Sequence, residues 1–66
     1  MQILVNGREQ EANAAQTIED LLKSLGYQQN SVAVALDGEF LPRRLHAATK
    51  LEERMDIEIL LPMQGG

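Results

Sequence analysis

The sequence ends Pro62-Met63-Gln64-Gly65-Gly66, which puts two residues without side chains beside its last carboxylate. Glycine brings backbone freedom at an entropic cost, so a folded domain gains no packing by closing on a pair of them. An untied end is one reading of such a terminus. The other is chemical. An α-carboxylate is ionised at neutral pH and inert to acyl transfer until one of its oxygens becomes a leaving group. Attack on the α-phosphate of ATP would supply that leaving group as an acyl-adenylate. Nothing in this chain has the Gly-rich phosphate loop that binds ATP, so the activation would fall to a partner enzyme. Two residues lacking side chains fit a narrow channel and let a backbone approach closely.

The other residue types that do chemistry are scarce. There is no cysteine, which excludes disulfides, thiolate metal sites and a cysteine nucleophile on this chain. His46 is the single histidine, so a multi-His metal site is excluded, and no metal ligand set is expected. It stands in a polar stretch without a Ser, Asp or Cys in triad spacing and reads as a solvated loop histidine. Arg43-Arg44 reads either as a solvated pair or as a contact for an acidic partner. Glu52-Glu53 reads as a solvated turn.

Sixty-six residues make one small domain, close to the size at which a chain folds alone. An apolar content of 44% with 24% charged residues is globular rather than disordered composition. The net charge of −4 argues against nucleic-acid phosphate as a partner, which needs clustered Lys and Arg. No apolar run approaches a membrane span and the N-terminus has no signal-peptide pattern, so a cytoplasmic location without membrane contact is expected.

The elements that position the tail are well marked. Gln2 to Val5 and Arg8 to Ala12 flank Asn6-Gly7, a hairpin turn signal, and the polar second strand reads as an edge. Thr17 is a helix N-cap with Asp20 three residues on, a near capping box. Ile18, Leu21, Leu22 and Leu25 follow the i, i+3, i+4, i+7 spacing of one apolar stripe. Gly26 stops the helix as a left-handed residue, with Tyr27 folding back on the last turn. Gln28 to Ser31 is a polar connection. Val32 to Leu36 and Glu39-Phe40-Leu41 form a second hairpin about Asp37-Gly38, which Pro42 ends. Arg43 to Lys50 is a loop or short helical turn that Leu51 anchors. Asp56 to Leu61 is the last strand and the centre of the sheet, with Ile57, Ile59 and Leu61 on one side and Glu58 and Leu60 on the other.

This order predicts an α+β fold, with one main helix packed on one face of a mixed sheet of about four to five strands. The last strand pairs in parallel with the first. The expected core is Ile3, Val5, Ile18, Leu21, Leu22, Leu25, Val32, Val34, Leu36, Ile57 and Ile59. Leu4, Ala33, Ala35 and Leu60 share the opposite face, and an apolar set beside a reactive tail is an interface candidate.

Hairpin, helix, hairpin and strand followed by Gly-Gly resemble the β-grasp, or ubiquitin-like, fold. Within it the chain is similar to the ThiS-type sulfur-carrier proteins of thiamine biosynthesis. The stretches that carry the likeness are Met1 to Gly7, Thr17 to Leu22, Val32 to Glu39, Pro42-Arg43, and Ile57-Glu58-Ile59 through Gly65-Gly66. Glu53-Arg54-Met55 stands where that family usually carries an acidic-Gly-Asp turn, and Asp37 stands at a common Asn. Pro62 is closer to the related sulfur carriers of molybdopterin synthesis.

The resemblance implies a β-grasp domain over 1–62 and a flexible C-terminal tail over 63–66. It implies that a ThiF-type adenylyltransferase recognises Met63, Gln64 and Gly65 and adenylates Gly66 with ATP. A cysteine desulfurase relay then supplies sulfur for a thiocarboxylate, and a ThiG-type thiazole synthase receives it. The chain itself would bind no cofactor and would not be an enzyme. A molybdopterin sulfur carrier, a ubiquitin-like protein modifier and a non-reactive β-grasp interaction module are the alternatives.

Overall fold

The computed structural model describes residues 1–61. Strands β1 (Gln2–Val5) and β2 (Arg8–Glu11) pair antiparallel. The helix α1 (Ile18–Ser24) follows, then the hairpin of β3 (Ala33–Leu36) and β4 (Glu39–Leu41), and last β5 (Asp56–Leu60). Short 3-10 turns occupy Gln29–Ser31 and Arg43–Leu45. The sheet order is β2-β1-β5-β3-β4, with β5 parallel to β1 and antiparallel to β3. This is the β-grasp arrangement, with the polar β2 at one edge and β5, which alternates buried Ile57 and Ile59 with exposed residues, at the centre.

Both hairpins turn as their residues dictate. Asn6 and Gly7 have φ of 52° and 83°, and Asp37 and Gly38 have 49° and 88°, the two consecutive positive values that a type I′ turn needs. The helix is closed at both ends by its own sequence. Thr17 Oγ1 accepts from the Asp20 N–H at 3.1 Å, and Asp20 Oδ2 accepts from the Thr17 N–H at 3.0 Å. Gly26, at φ 87°, lets its N–H reach Lys23 O and the Tyr27 N–H reach Leu22 O, the paired bonds of a Schellman motif.

The remaining helix donors are met from across the molecule. The Ile18 N–H donates to Thr49 O at 2.9 Å and the Glu19 N–H to His46 O at 3.2 Å. These groups have no partner inside a helix, so burying the helix N-terminus requires outside acceptors. The segment from His46 to Leu51 provides them and is bound down as a result. Leu51 is buried, as an anchor of that loop.

Ile18, Leu21 and Leu22 pack over Ile3, Val5, Val34, Ile57 and Ile59 to form the core, joined by Leu51 and Met55. Leu25, Val32 and Leu36, expected inside, are half-buried at its margin. Three expectations need correction. His46 is not solvated: it is 1% exposed, because its carbonyl is tied to the helix and its ring turns inward. Met55 was not foreseen as core; Leu4 N–H donates to its carbonyl at 2.9 Å, which draws it beside β1. Leu61 lies beyond the end of β5 and is 64% exposed rather than sharing the inner side with Ile57 and Ile59. Strand ends also differ slightly, since β2 stops at Glu11 and β3 begins at Ala33.

Candidate functional site

The central strand delivers the chain to the place where chemistry was expected. Along β5, Ile57 and Ile59 are buried while Asp56, Glu58 and Leu60 face outward. On one side β3 holds the strand over its whole length, with Ala33 opposite Leu60 and Leu36 opposite Ile57. On the other side β1 turns away after Val5, so its backbone cannot serve the far half of β5. Asn6 fills the gap, its Oδ1 accepting from the Ile59 N–H at 2.8 Å. The strand is therefore held on both sides to within two residues of Leu61. Pro62, Met63, Gln64, Gly65 and Gly66 lie outside the described residues.

The face of the sheet opposite α1 is divided. Register places Leu60 beside Ala33, Ala35 beside Glu58, and Phe40 beside Ala35. Phe40 and Leu60 are large exposed apolar side chains, 68% and 56% exposed, with Leu60 at the far end of β5 and Phe40 level with Glu58 at its middle. Leu4, grouped with them from sequence, is elsewhere: it pairs with Asp56 and Glu9, at the start of β5, about 13 Å along the strand from Leu60. Around it the face is acidic, carrying Glu9, Glu11, Asp56 and Glu58. The structure thus unites Ala33, Ala35 and Leu60, separates Leu4 from them, and adds Phe40. The signal for Phe40 was present, because a two-residue turn at Asp37-Gly38 fixes Ala35 and Phe40 as cross-strand partners on one face.

Two concavities flank the tail-proximal end. One, of about 270 Å³, is lined by Asn30, Ser31, Val32, Ala33, Leu60 and Leu61. The next, of about 330 Å³, shares Asn30, Val32 and Ala33 and extends to Phe40, Leu41, Pro42, Arg43 and His46. A wider hollow of about 630 Å³ lies beside Met1 and Glu11, toward the other end of the sheet. Among the described residues no group of three His, Cys, Asp or Glu side chains is arranged to hold a metal ion. No helix among them is long and apolar enough to cross a membrane. Among the described residues no acid, base or nucleophile is hydrogen-bonded to the ring of His46. What they offer is a braced strand end, an apolar patch and an acidic flank.

Comparison with known proteins gives this arrangement its relatives. The crystal structure of the thiamine biosynthesis protein ThiS from Geobacter metallireducens superposes with a TM-score of 0.83 at 33% identity, over 100% of both chains. A solution structure of a thiamine biosynthesis protein from the same organism gives 0.77 at 33% identity, covering 100% of this chain and 88% of that one. A thiazole synthase of Paramagnetospirillum magneticum (strain ATCC 700264 / AMB-1) is 32% identical over all 66 residues. This chain spans only about a fifth of that protein's length, 20%. The model of the ThiS family matches residues 3–66, nearly the entire sequence, and the chain belongs to that family.

Proposed function

We propose that this chain is the sulfur carrier of a thiazole-forming step in thiamine biosynthesis, with Gly66 as the reacting residue. A carboxylate oxygen of Gly66 attacks the α-phosphorus of ATP on a ThiF-type adenylyltransferase, and pyrophosphate leaves. A persulfide carried by a relay protein that a cysteine desulfurase loads then attacks the acyl carbon and AMP leaves, giving an acyl disulfide. A second thiol attacks the relay's own sulfur in that bond, which releases the thiocarboxylate and leaves a disulfide for a cellular thiol to reduce. The resulting thiocarboxylate donates its sulfur to a ThiG-type thiazole synthase. ATP is the partner's cofactor rather than this chain's. The chain acts in the cytoplasm as a protein-bound reagent and not as an enzyme.

The observation that carries this reading is the full-length correspondence with ThiS, including the stretch from β5 to Gly65-Gly66. The thiazole synthase from Paramagnetospirillum supports the choice of acceptor. It contains, in a single chain, a stretch similar to the whole of this protein. Linking two modules makes their encounter intramolecular, at an effective concentration in the millimolar range for short flexible linkers. The apolar patch of Ala33, Ala35, Phe40 and Leu60 suits the role, since a partner that receives the tail must cover the surface from which it leaves.

Intact mass of the chain recovered from growing cells tests the assignment. Replacement of one oxygen by sulfur at Gly66 is the expected result. Covalent conjugates to other proteins would point to a ubiquitin-like modifier instead. An unmodified chain under every growth condition would leave only a β-grasp interaction module.

A further inference from the structure

Arg43 and His46 have no part in the carrier chemistry, yet the fold builds them into one place. Pro42 ends β4, and the chain then makes the tight turn Arg43–Leu45, closed by Leu45 N–H to Pro42 O at 2.9 Å and His46 N–H to Arg43 O at 3.0 Å. The tie from Glu19 to the His46 carbonyl pulls the imidazole beneath the turn while Arg43 stays exposed. Nδ1 and Nε2 of His46 are buried and have no hydrogen-bond partner among the described residues. A neutral imidazole carries one N–H donor and one acceptor. Buried polar side chains left without a partner are exceptions in folded proteins, and each calls for a reason.

His46 lines the concavity of about 330 Å³ together with Arg43 and Asn30, against an apolar wall of Phe40, Val32 and Ala33. The polar members are a guanidinium, an imidazole and an amide, and among the described residues no carboxylate lines the space. That is unusual in a chain with ten acidic and six basic side chains. Among the described residues Arg43 has no ion pair, the ion pair present being that of the Met1 amine with Glu11. Guanidinium matches a carboxylate with two parallel N–H donors, a geometry lysine cannot offer. The Asn30 amide, on the same wall, offers a further donor to the same oxygens, with the buried imidazole behind them. The space adjoins the hollow at Leu60 and Leu61, the two sharing Asn30, Val32 and Ala33 in their walls.

We propose that this concavity is a carboxylate pocket, filled by an Asp or Glu side chain that the adenylating partner projects beside its tail channel. The proposal rests on the carrier reading, which supplies a partner at this end of the sheet. A free small carboxylate would hold to so open a site weakly, against competition from water. An acidic side chain on a protein already engaged by the neighbouring patch arrives at high effective concentration.

The test uses the whole chain and the adenylating enzyme of the same cell. Arg43→Glu is expected to weaken binding about thirtyfold or more, as loss of one partner of a desolvated charge pair does, with the melting temperature unchanged because Arg43 is exposed. A Lys placed at one acidic position around the enzyme's tail channel is expected to restore binding to Arg43→Glu. The ring resonances of His46 are expected to shift when the unaltered chain binds. Unweakened binding by Arg43→Glu overturns the pocket and leaves the carrier reading standing. Failure of the unaltered chain to bind the enzyme overturns both. Equal shifts of His46 with millimolar acetate would assign the pocket to a free carboxylate, and self-association lost in Arg43→Glu would assign it to a second copy; either overturns the partner side chain.

Discussion

At the scale of the residue, Arg54 shows what a sequence displays and what it hides. Its φ of 64° is left-handed, a conformation that costs an L-residue roughly 1–2 kcal/mol. The backbone is held there by its neighbours: the Arg54 N–H donates to Gln2 O at 2.7 Å, and the Met55 N–H to Glu52 O at 3.1 Å. The turn must reverse within these residues so that Met55 can accept from Leu4 and start the parallel pairing of β1 with β5. The sequence marked this place, because the related family usually carries a glycine-containing turn there, but a positive φ at an arginine has no signature in composition or periodicity. Asn6 and Asp37 were legible for the opposite reason, since each precedes a glycine in a two-residue hairpin turn. Arg54→Gly removes the steric cost and adds the entropic cost of glycine, about 0.5–1 kcal/mol. The balance is a stabilisation of up to about 1.5 kcal/mol, the difference between these terms. A rise of a few degrees in the thermal midpoint is the expected reading, on the order of 4–8 °C per kcal/mol at this size. A fall would show that the arginine side chain stabilises the turn by more than the strain costs.

At the scale of the element, α1 was the most legible part of the chain because its determinants are local. The cap at Thr17 and Asp20, the stripe of Ile18, Leu21 and Leu22, and the stop at Gly26 all act within a few residues of one another. The stretch from His46 to Met55 was illegible because long-range bonds decide its burial. His46 is drawn in by a helix donor 27 positions earlier (46 − 19 = 27) and Met55 by a donor on the first strand. A polar-looking loop gives no warning of either bond. The open face was partly legible for the same reason: alternation assigns a face, but only register shows that Leu4 and Leu60 occupy opposite ends of it. Leu22 tests the helix on its sheet. It is 0% exposed and packed in the central cluster, so Leu22→Ala is expected to cost about 2–5 kcal/mol in a denaturant titration. A near-neutral result would mean that α1 does not cover a packed sheet.

At the scale of the whole molecule, the core is complete before the last strand ends. Every buried apolar side chain among the described residues lies between Ile3 and Ile59. Leu61 already lies outside the sheet ladder. Stability and chemistry can therefore be altered independently. If the Gly66 carboxylate is the group activated, its requirements are covalent and positional. Deleting Gly66 draws the carboxylate back by up to about 3.3–3.6 Å, the span of one extended residue. A misplacement of only about 1 Å can cost on the order of a hundredfold in rate. Adding one residue after Gly66 is as damaging by a different route, because the reacting carbonyl becomes an amide with no ionised oxygen to attack ATP. Both variants are expected to melt with the parent chain, and both to fail to support ATP–pyrophosphate exchange by the adenylating enzyme. Undiminished exchange with the extended variant would show that the carboxylate of Gly66 is not the nucleophile. A lowered melting temperature in either variant would show that the last residues do contribute to the fold, against a role confined to activation.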